Sequence, residues 1–416
     1  MDVCEVVRQK TTDTAMVLLG LFVVVVCIGV YWVNRQKGYT IWSRKIINED
    51  DLPNLLPQNS LVSEEPLELY IPASKKGLVA IPIEYSKIDF GFVAKIRVGS
   101  SYVFAVLDTG SFDLTVGTTE CHASSMCSAH DASYDLTNSP TAQRTGLTKT
   151  LRYASLTIEA EVVHDSVGLI SCAASECLEP VDTNRSLSQM EGMQELLPMT
   201  LKLYAASKMH GTASNVMGLM HPDIDGIKDS FLDRVFDMYD LDRQWTFYGS
   251  SRGRGALVLG KLCGPQFGTP SWFPLSKSFR YSGAYIIEIE QCTIGSTKIP
   301  VKYLLLDTGT HESFFSGSVH KEVAASGLPL AASQCSNKDL PTVMICLSRD
   351  VCLEFSPEGY IRNSRGVCSS TFHVSHPKVD EMFKDVPVLL FGITHMMDLA
   401  WTFDLARHRV GVSPIL

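Results

Sequence analysis

The sequence predicts an all-β, two-lobed chain with a few short helices, preceded by one N-terminal transmembrane helix. Three observations predict it. An uncharged run, residues 15–33, stands near the N-terminus. From about Ile81 the chain breaks into short alternating or apolar runs separated by turn residues. One such run, ending in Asp-Thr-Gly at Asp108, returns about two hundred residues later at Asp307.

Residues 15–33 (AMVLLGLFVVVVCIGVYWV) are nineteen without a charge, near the roughly 20 that cross a bilayer as a helix. A cleaved signal peptide is the alternative. Tyr31-Trp32-Val33 followed by Asn34-Arg35 offers no small-x-small cleavage site, so the run is read as an uncleaved membrane anchor behind a short tail, residues 1–14. Arg8 and Lys10 precede the span, and Arg35, Lys37, Arg44 and Lys45 follow it. That bias alone would leave the bulk of the chain in the cytosol.

The cysteines argue the other way. Ten of the twelve follow the span, at 121, 127, 172, 177, 263, 292, 335, 346, 352 and 368. Cys121/Cys127 and Cys172/Cys177 bracket short polar loops, and Cys346/Cys352 flank a hairpin turn at Leu347-Ser348-Arg349-Asp350-Val351. Disulfides in a lumenal or extracellular setting account for this usage. A metal site on Cys121, Cys127 and His130 is the alternative, but no second Cys/His pair with zinc-finger spacing follows. No metal and no cofactor is expected. Asn184-Arg185-Ser186 is a glycosylation acceptor compatible with the same location. The cysteines therefore outweigh the flanking charges.

A length of 416 residues invites two domains. With 45% hydrophobic and 19% charged residues the composition is globular. A net charge of -9, with no run of Lys and Arg to follow a phosphate backbone, excludes a nucleic-acid partner. The same mild acidity suits an acidic compartment. Residues 34–76 mix charge with prolines 53, 57, 66 and 72 and read as a stem or removable pro-segment. Residues 77–254 and 255–416 then form the two lobes.

Strand signals cover residues 90–98, 102–107, 156–163, 285–289, 302–306, 342–347 and 409–412. Residues 227–239 (IKDSFLDRVFDMY) are the helical exception, with apolar residues recurring on one face. Ala105-Val106-Leu107-Asp108-Thr109-Gly110-Ser111 is echoed by Leu304-Leu305-Leu306-Asp307-Thr308-Gly309-Thr310. A single Asp-Thr-Gly is most simply a turn. Two, each behind a hydrophobic strand and each upstream of an apolar-apolar-Gly strand end, Val216-Met217-Gly218 and Leu390-Phe391-Gly392, are a duplication.

These motifs, in this order over roughly residues 85–416, resemble the pepsin-like aspartic proteases. That family has two similar β-rich lobes, each giving one Asp-Thr-Gly loop to a shared cleft. The resemblance implies an aspartic endopeptidase, a monomer acting on peptide or protein substrates, its lobes in an acidic endomembrane, vacuolar or lysosome-like compartment. It implies disulfides Cys121/Cys127 and Cys335/Cys368. Asp108 and Asp307 are the catalytic pair it implies, supported by Thr109, Gly110, Ser111, Thr308, Gly309 and Thr310, with the Ser111 and Thr310 hydroxyls bonding the outer carboxylate oxygens. The chemistry explains the pairing: hydrolysis of an amide needs one group to take a proton while another gives one, and two close carboxylates share a proton and do both.

By the same resemblance Tyr153 is the tyrosine of a flap that closes over substrate. Its surroundings depart from the family pattern. Ala154 and Leu156 stand where glycines are usual, as in plasmepsin-type flaps, and Thr115 stands where a tryptophan usually supports the tyrosine. Ile393 replaces an Asp after the second apolar-apolar-Gly. His311 follows the second motif directly and is read as an ordinary loop histidine. The rival reading is a catalytically silent, membrane-tethered binding protein that keeps the cleft for a peptide partner.

Overall fold

The strands expected from alternation form, six with ends moved by one or two residues, Gly91–Val98, Ser101–Asp108, Ile286–Glu288, Tyr303–Asp307, Val343–Ser348 and Arg409–Pro414, while the one expected over 156–163 runs eight residues further, as Thr157–Ser171. The computed structural model describes residues 40–44, 69–70 and 77–415, except 125–126, 128–132, 154–156, 173–192, 211–214, 223–229, 263–266, 331–332, 335–339, 365–366, 375–379, 382 and 384–385. Residues 15–33, read as a membrane span, lie outside this set. Among the described residues no helix is long and apolar enough to cross a membrane.

In the first lobe, Val79–Ser86, Gly91–Val98 and Ser101–Asp108 form an antiparallel meander. Gly91–Val98 is buried along almost its whole length, which is why its apolar residues run together rather than alternate. The fifteen-residue strand Thr157–Ser171 pairs with Met199–His210 and Gln143–Arg152, and its far end reaches Gly91–Val98. In the second lobe a five-stranded sheet holds Val343–Ser348, and another is built around Tyr303–Asp307. Gln244–Gly249 lies between Arg254–Leu259 and Leu399–Asp404, joining the lobes through one shared sheet. Trp245 stacks on Phe403 with ring centroids 4.0 Å apart, and the Tyr285 hydroxyl donates to the Leu219 carbonyl at 2.8 Å, so aromatic packing ties that sheet to both halves.

The helix expected over 227–239 is observed as Phe231–Tyr239. Ser230 caps it by accepting from the Asp233 N–H at 3.1 Å, Asp240 ends it at φ 49°, and Phe231, Leu232, Val235, Phe236 and Tyr239 form its buried face. The stem is not wholly apart from the sheets. Thr40–Arg44 runs parallel to Val351–Phe355 in the second lobe, and Leu69–Tyr70 runs parallel to Glu195–Leu196 in the first. A β-branched and aromatic stretch such as Thr40-Ile41-Trp42 suits an added edge strand.

Cys121 is bonded to Cys127 and Cys346 to Cys352. The first bond uses both sulfurs on which a metal site would have depended. Cys172 and Cys368 are also disulfide-bonded, while Cys177 and Cys335, expected as their partners, lie outside the described residues. Cys292 is a free thiol, fully buried, and burial pushes it up to about 12.

Candidate active site

The duplicated motif folds into a duplicated device. Val216–Gly218 pairs in parallel with Ser101–Asp108, setting Gly218 opposite Asp108, and Val388–Gly392 pairs in parallel with Tyr303–Asp307, setting Gly392 opposite Asp307. Each glycine-ended strand also lies antiparallel to the strand that follows its motif, Leu114–Gly117 or Ser313–Phe315. The chain therefore leaves each strand at its aspartate and returns alongside it, which delivers both carboxyls to one place.

The two threonines lock the loops together. Thr109 N–H donates to Thr308 Oγ1 at 3.1 Å and Thr308 N–H donates to Thr109 Oγ1 at 2.9 Å. Each hydroxyl then donates across the interface, Thr109 to the Leu306 carbonyl at 2.9 Å and Thr308 to the Leu107 carbonyl at 2.7 Å. Both residues are 1% exposed, so no water replaces a lost partner. Thr109→Val, which keeps shape but not the hydroxyl, is expected to cost about 1–3 kcal/mol, read as a lowered denaturant midpoint.

Gly110 and Gly309 permit the close approach. A Cβ on Gly309 would stand 2.3 Å from Asp108 Oδ1, and one on Gly110 would stand 3.2 Å from Asp307 Oδ1. Gly110 N–H donates to Asp108 Oδ1 at 2.7 Å and Gly309 N–H to Asp307 Oδ1 at 3.0 Å. The outer oxygens differ. Thr310 Oγ1 donates to Asp307 Oδ2 at 2.6 Å. Ser111 is buried beside Asp108 and its hydroxyl dipole favours the charged form, but its oxygen makes no hydrogen bond among the described residues. Both hydroxyls favour the charged form of their aspartate, Thr310 through a hydrogen bond of ordinary length.

Burial, and then the nearby Asp307 charge, push the Asp108 carboxyl up to about 7. Burial also raises Asp307, opposed by the Thr310 hydroxyl and the Gly309 N–H. Both carboxyls are raised, so the pair holds a proton between them over a wide range. Such a pair can donate and accept a proton at the same point in space.

The family model described as eukaryotic aspartyl protease matches residues 91–415. The chain belongs to that family. It is also similar to pepsin A of Bos taurus, 23% identical over 374 residues, covering 86% of this chain and 88% of pepsin A. The fold is mostly β with few short helices, as in a two-lobed pepsin-like protein.

Within this aspartyl protease fold, Gln143–Arg152 and Thr157–Ser171 form the hairpin expected of a flap, with Tyr153 next to its turn; residues 154–156, where the glycines are replaced, lie outside the described set. The support thought to be lost with Thr115 is present in another form: the Thr115 and Tyr153 hydroxyls are 3.2 Å apart, with Thr115 fully buried. Thr115→Val is expected to lower kcat/KM on a peptide about 2- to 10-fold, with Thr115→Ser close to wild type, measured at saturating and limiting substrate. Ile393 contributes its backbone instead of a carboxylate, its N–H donating to the Thr310 carbonyl at 2.8 Å.

His311 is a packed loop histidine rather than a solvated one. Its Nδ1 lies 3.0 Å from the Tyr85 hydroxyl, its Nε2 contacts Arg362, and its ring packs on Tyr85 and Phe90 of the first lobe. Sequence reasoning missed this bridge because Tyr85 and Arg362 are far away along the chain. It also missed Asp165, fully buried in Thr157–Ser171. Burial opposes its charge, but the hydroxyls of Ser139, Thr141 and Tyr134 and the Ser166 N–H hold it below the usual carboxylate range.

Proposed function

We propose that this chain is an aspartic endopeptidase that hydrolyses peptide bonds in protein substrates, in acid, with a water activated between Asp108 and Asp307. The observation that carries the reading is the close pair of carboxyls, both raised by burial and each held by the N–H of its own motif's glycine. The ionised member of the pair takes a proton from water as the oxygen attacks the scissile carbonyl, while the protonated member gives its proton to the carbonyl oxygen. The tetrahedral diol collapses when the carboxyl that took the proton from water passes it to the leaving nitrogen, the other carboxylate takes a proton from a diol hydroxyl, and the C–N bond breaks. No covalent intermediate with the protein is needed, and the pair ends with one proton as it began.

The disulfides Cys121–Cys127 and Cys346–Cys352 support an oxidising, lumenal or extracellular location for the lobes. Residues 15–33 supply the membrane anchor in this reading. The test is cleavage of a mixed peptide library by the full chain from pH 3 to 7, with and without pepstatin. Pepstatin-sensitive cleavage that disappears when either aspartate is replaced supports the peptidase. A folded wild-type chain that binds peptides and cleaves none across that range is a binding protein.

A further inference from the structure

The loop that carries Asp307 lies directly on Gly392. A Cβ on Gly392 would stand 2.1 Å from the Glu312 carbonyl oxygen and 2.8 Å from that of Thr310. The next two N–H groups, of Ile393 and Thr394, donate to the Thr310 and His311 carbonyls at 2.8 and 3.0 Å. Thr310 in turn holds Asp307 Oδ2. The same loop is anchored by Glu312, which pairs with Arg362 at 2.9 Å and contacts His373. Burial works against the Glu312 charge, but His373 and Arg362 outweigh it and hold its carboxyl below the usual range.

The two lobes differ in how the glycine itself is held. Gly218 N–H donates to a backbone carbonyl, that of Asp113, at 3.1 Å, whereas Gly392 N–H donates to a side chain, Ser313 Oγ, at 3.0 Å. Six residues after Asp108 the first lobe has Leu114; six after Asp307 the second has Ser313. Behind Ser313 stands His395, on the short helix Ile393–Met396. Its Nδ1 is 2.7 Å from Ser313 Oγ and its Nε2 is 3.0 Å from Thr371 Oγ1, and all three residues are fully buried. The Thr371 hydroxyl gives its one hydrogen to the Tyr360 carbonyl at 3.0 Å, so it accepts from Nε2–H. A neutral imidazole has only one N–H, so Nδ1 accepts from the Ser313 hydroxyl. The ring stacks on Phe372 at 4.0 Å and meets Phe355 edge-on at 5.1 Å, surroundings that suit the uncharged form. One directed chain thus runs from Gly392 N–H through Ser313, His395 and Thr371 to the Tyr360 carbonyl.

We propose that His395 is a positioning residue for the second aspartate: it orients the Ser313 hydroxyl, which holds Gly392 against the loop carrying Asp307, and so sets the aim of that carboxyl. The inference rests on the peptidase reading above for what the carboxyl does. The nitrogen that matters is Nδ1, which meets Ser313, rather than Nε2, which meets Thr371. Lose that contact, and the Ser313 hydroxyl is free to turn, the Gly392 N–H loses a fixed acceptor, and the Thr310 hydroxyl moves on Asp307.

The test uses the full chain and three single variants. His395→Phe keeps a ring and loses both nitrogens, His395→Asn loses the ring but keeps an acceptor at the place of Nδ1, and Ser313→Ala removes the next link. On a fluorogenic peptide at the pH of greatest activity, His395→Phe and Ser313→Ala are expected to lower kcat by about 10- to 100-fold with KM within about twofold of wild type. Their double variant should lose no more than either. His395→Asn leaves the larger cavity and should have the lowest Tm, yet keep kcat within about threefold. Activity and stability then fall in opposite orders, which a packing role does not produce. Carbon-13 NMR titration of the aspartate carboxyls reads the same link without turnover. The Asp307 midpoint should rise by about half a pH unit in His395→Phe and Ser313→Ala, where Thr310 holds the charged form less well, and stay in place in His395→Asn. If kcat follows Tm, or if folded His395→Phe and Ser313→Ala match wild type in both measurements, His395 only fills space. A wild type that cleaves nothing while the titration moves as expected sinks the peptidase reading and keeps the positioning role; cleavage with neither kcat nor titration moved by the variants does the reverse.

Discussion

Asp307→Asn is expected to lower peptide cleavage by about 10⁴-fold or more, with little change in KM. The side chain keeps its size, so the Thr109–Thr308 lock and the approach of the two loops remain. What changes is the chemistry of two atoms. The carboxylate accepts from the Gly309 N–H and the Thr310 hydroxyl, and an amide cannot take a proton from water in their place. Asn also presents an NH₂ group to one of those donors, so the Thr310 hydroxyl must turn round and accept. Asp108→Asn should be as damaging, because it leaves the pair with one carboxyl where the proton exchange needs two. Equal losses from the two single variants and no further loss in the double variant would be the mark of groups acting as a unit. Progress curves over hours with a fluorogenic peptide reach the required sensitivity. A single variant retaining more than about 1% of wild-type kcat would rule out the two-carboxylate mechanism.

The aspartate pair was legible because its chemistry is local to two repeated strings of residues. Asp-Thr-Gly, the strand before it and the apolar-apolar-Gly strand after it lie in short windows, and the parallel pairings of Gly218 with Asp108 and Gly392 with Asp307 follow from that repetition. The alternation of apolar residues likewise revealed most strands, because period two is written in consecutive positions. Contacts made across long separations were not legible. Nothing near Thr115 indicates that its hydroxyl would reach Tyr153, and nothing near Glu312 points to Arg362 or His373. The difference between Ser111 and Thr310 was also hidden: both carry a hydroxyl after the glycine, and only that of Thr310 makes an ordinary hydrogen bond to its aspartate. The two short strands of the stem depend on open sheet edges elsewhere, which no window of residues 34–76 can display.

The aspartate pair also fixes how stability depends on pH. The folded protein holds the Asp108 proton up to about pH 7, whereas the ordinary value is 3.8. Between these values the folded state binds a proton that the unfolded chain releases. The stability contributed is fully present below about pH 4 and disappears as pH rises toward 7. For a shift of this size it amounts to at most about 4 kcal/mol, or roughly 5 °C in Tm for a chain of this length. Asp307, raised in the same direction by burial, adds to the same slope. Asp165 and Glu312, held below the usual range, act oppositely, but their contribution is lost only as pH falls through their lowered values, below the window in question. The wild-type Tm should therefore fall between pH 5 and pH 7, and Asp108→Asn, which cannot ionise, should flatten most of that fall while matching or exceeding wild type at pH 7. A parallel decline in both proteins would assign the slope to other groups. A flattened slope would mean that ionising this buried, crowded pair is what loosens the fold as acid is withdrawn.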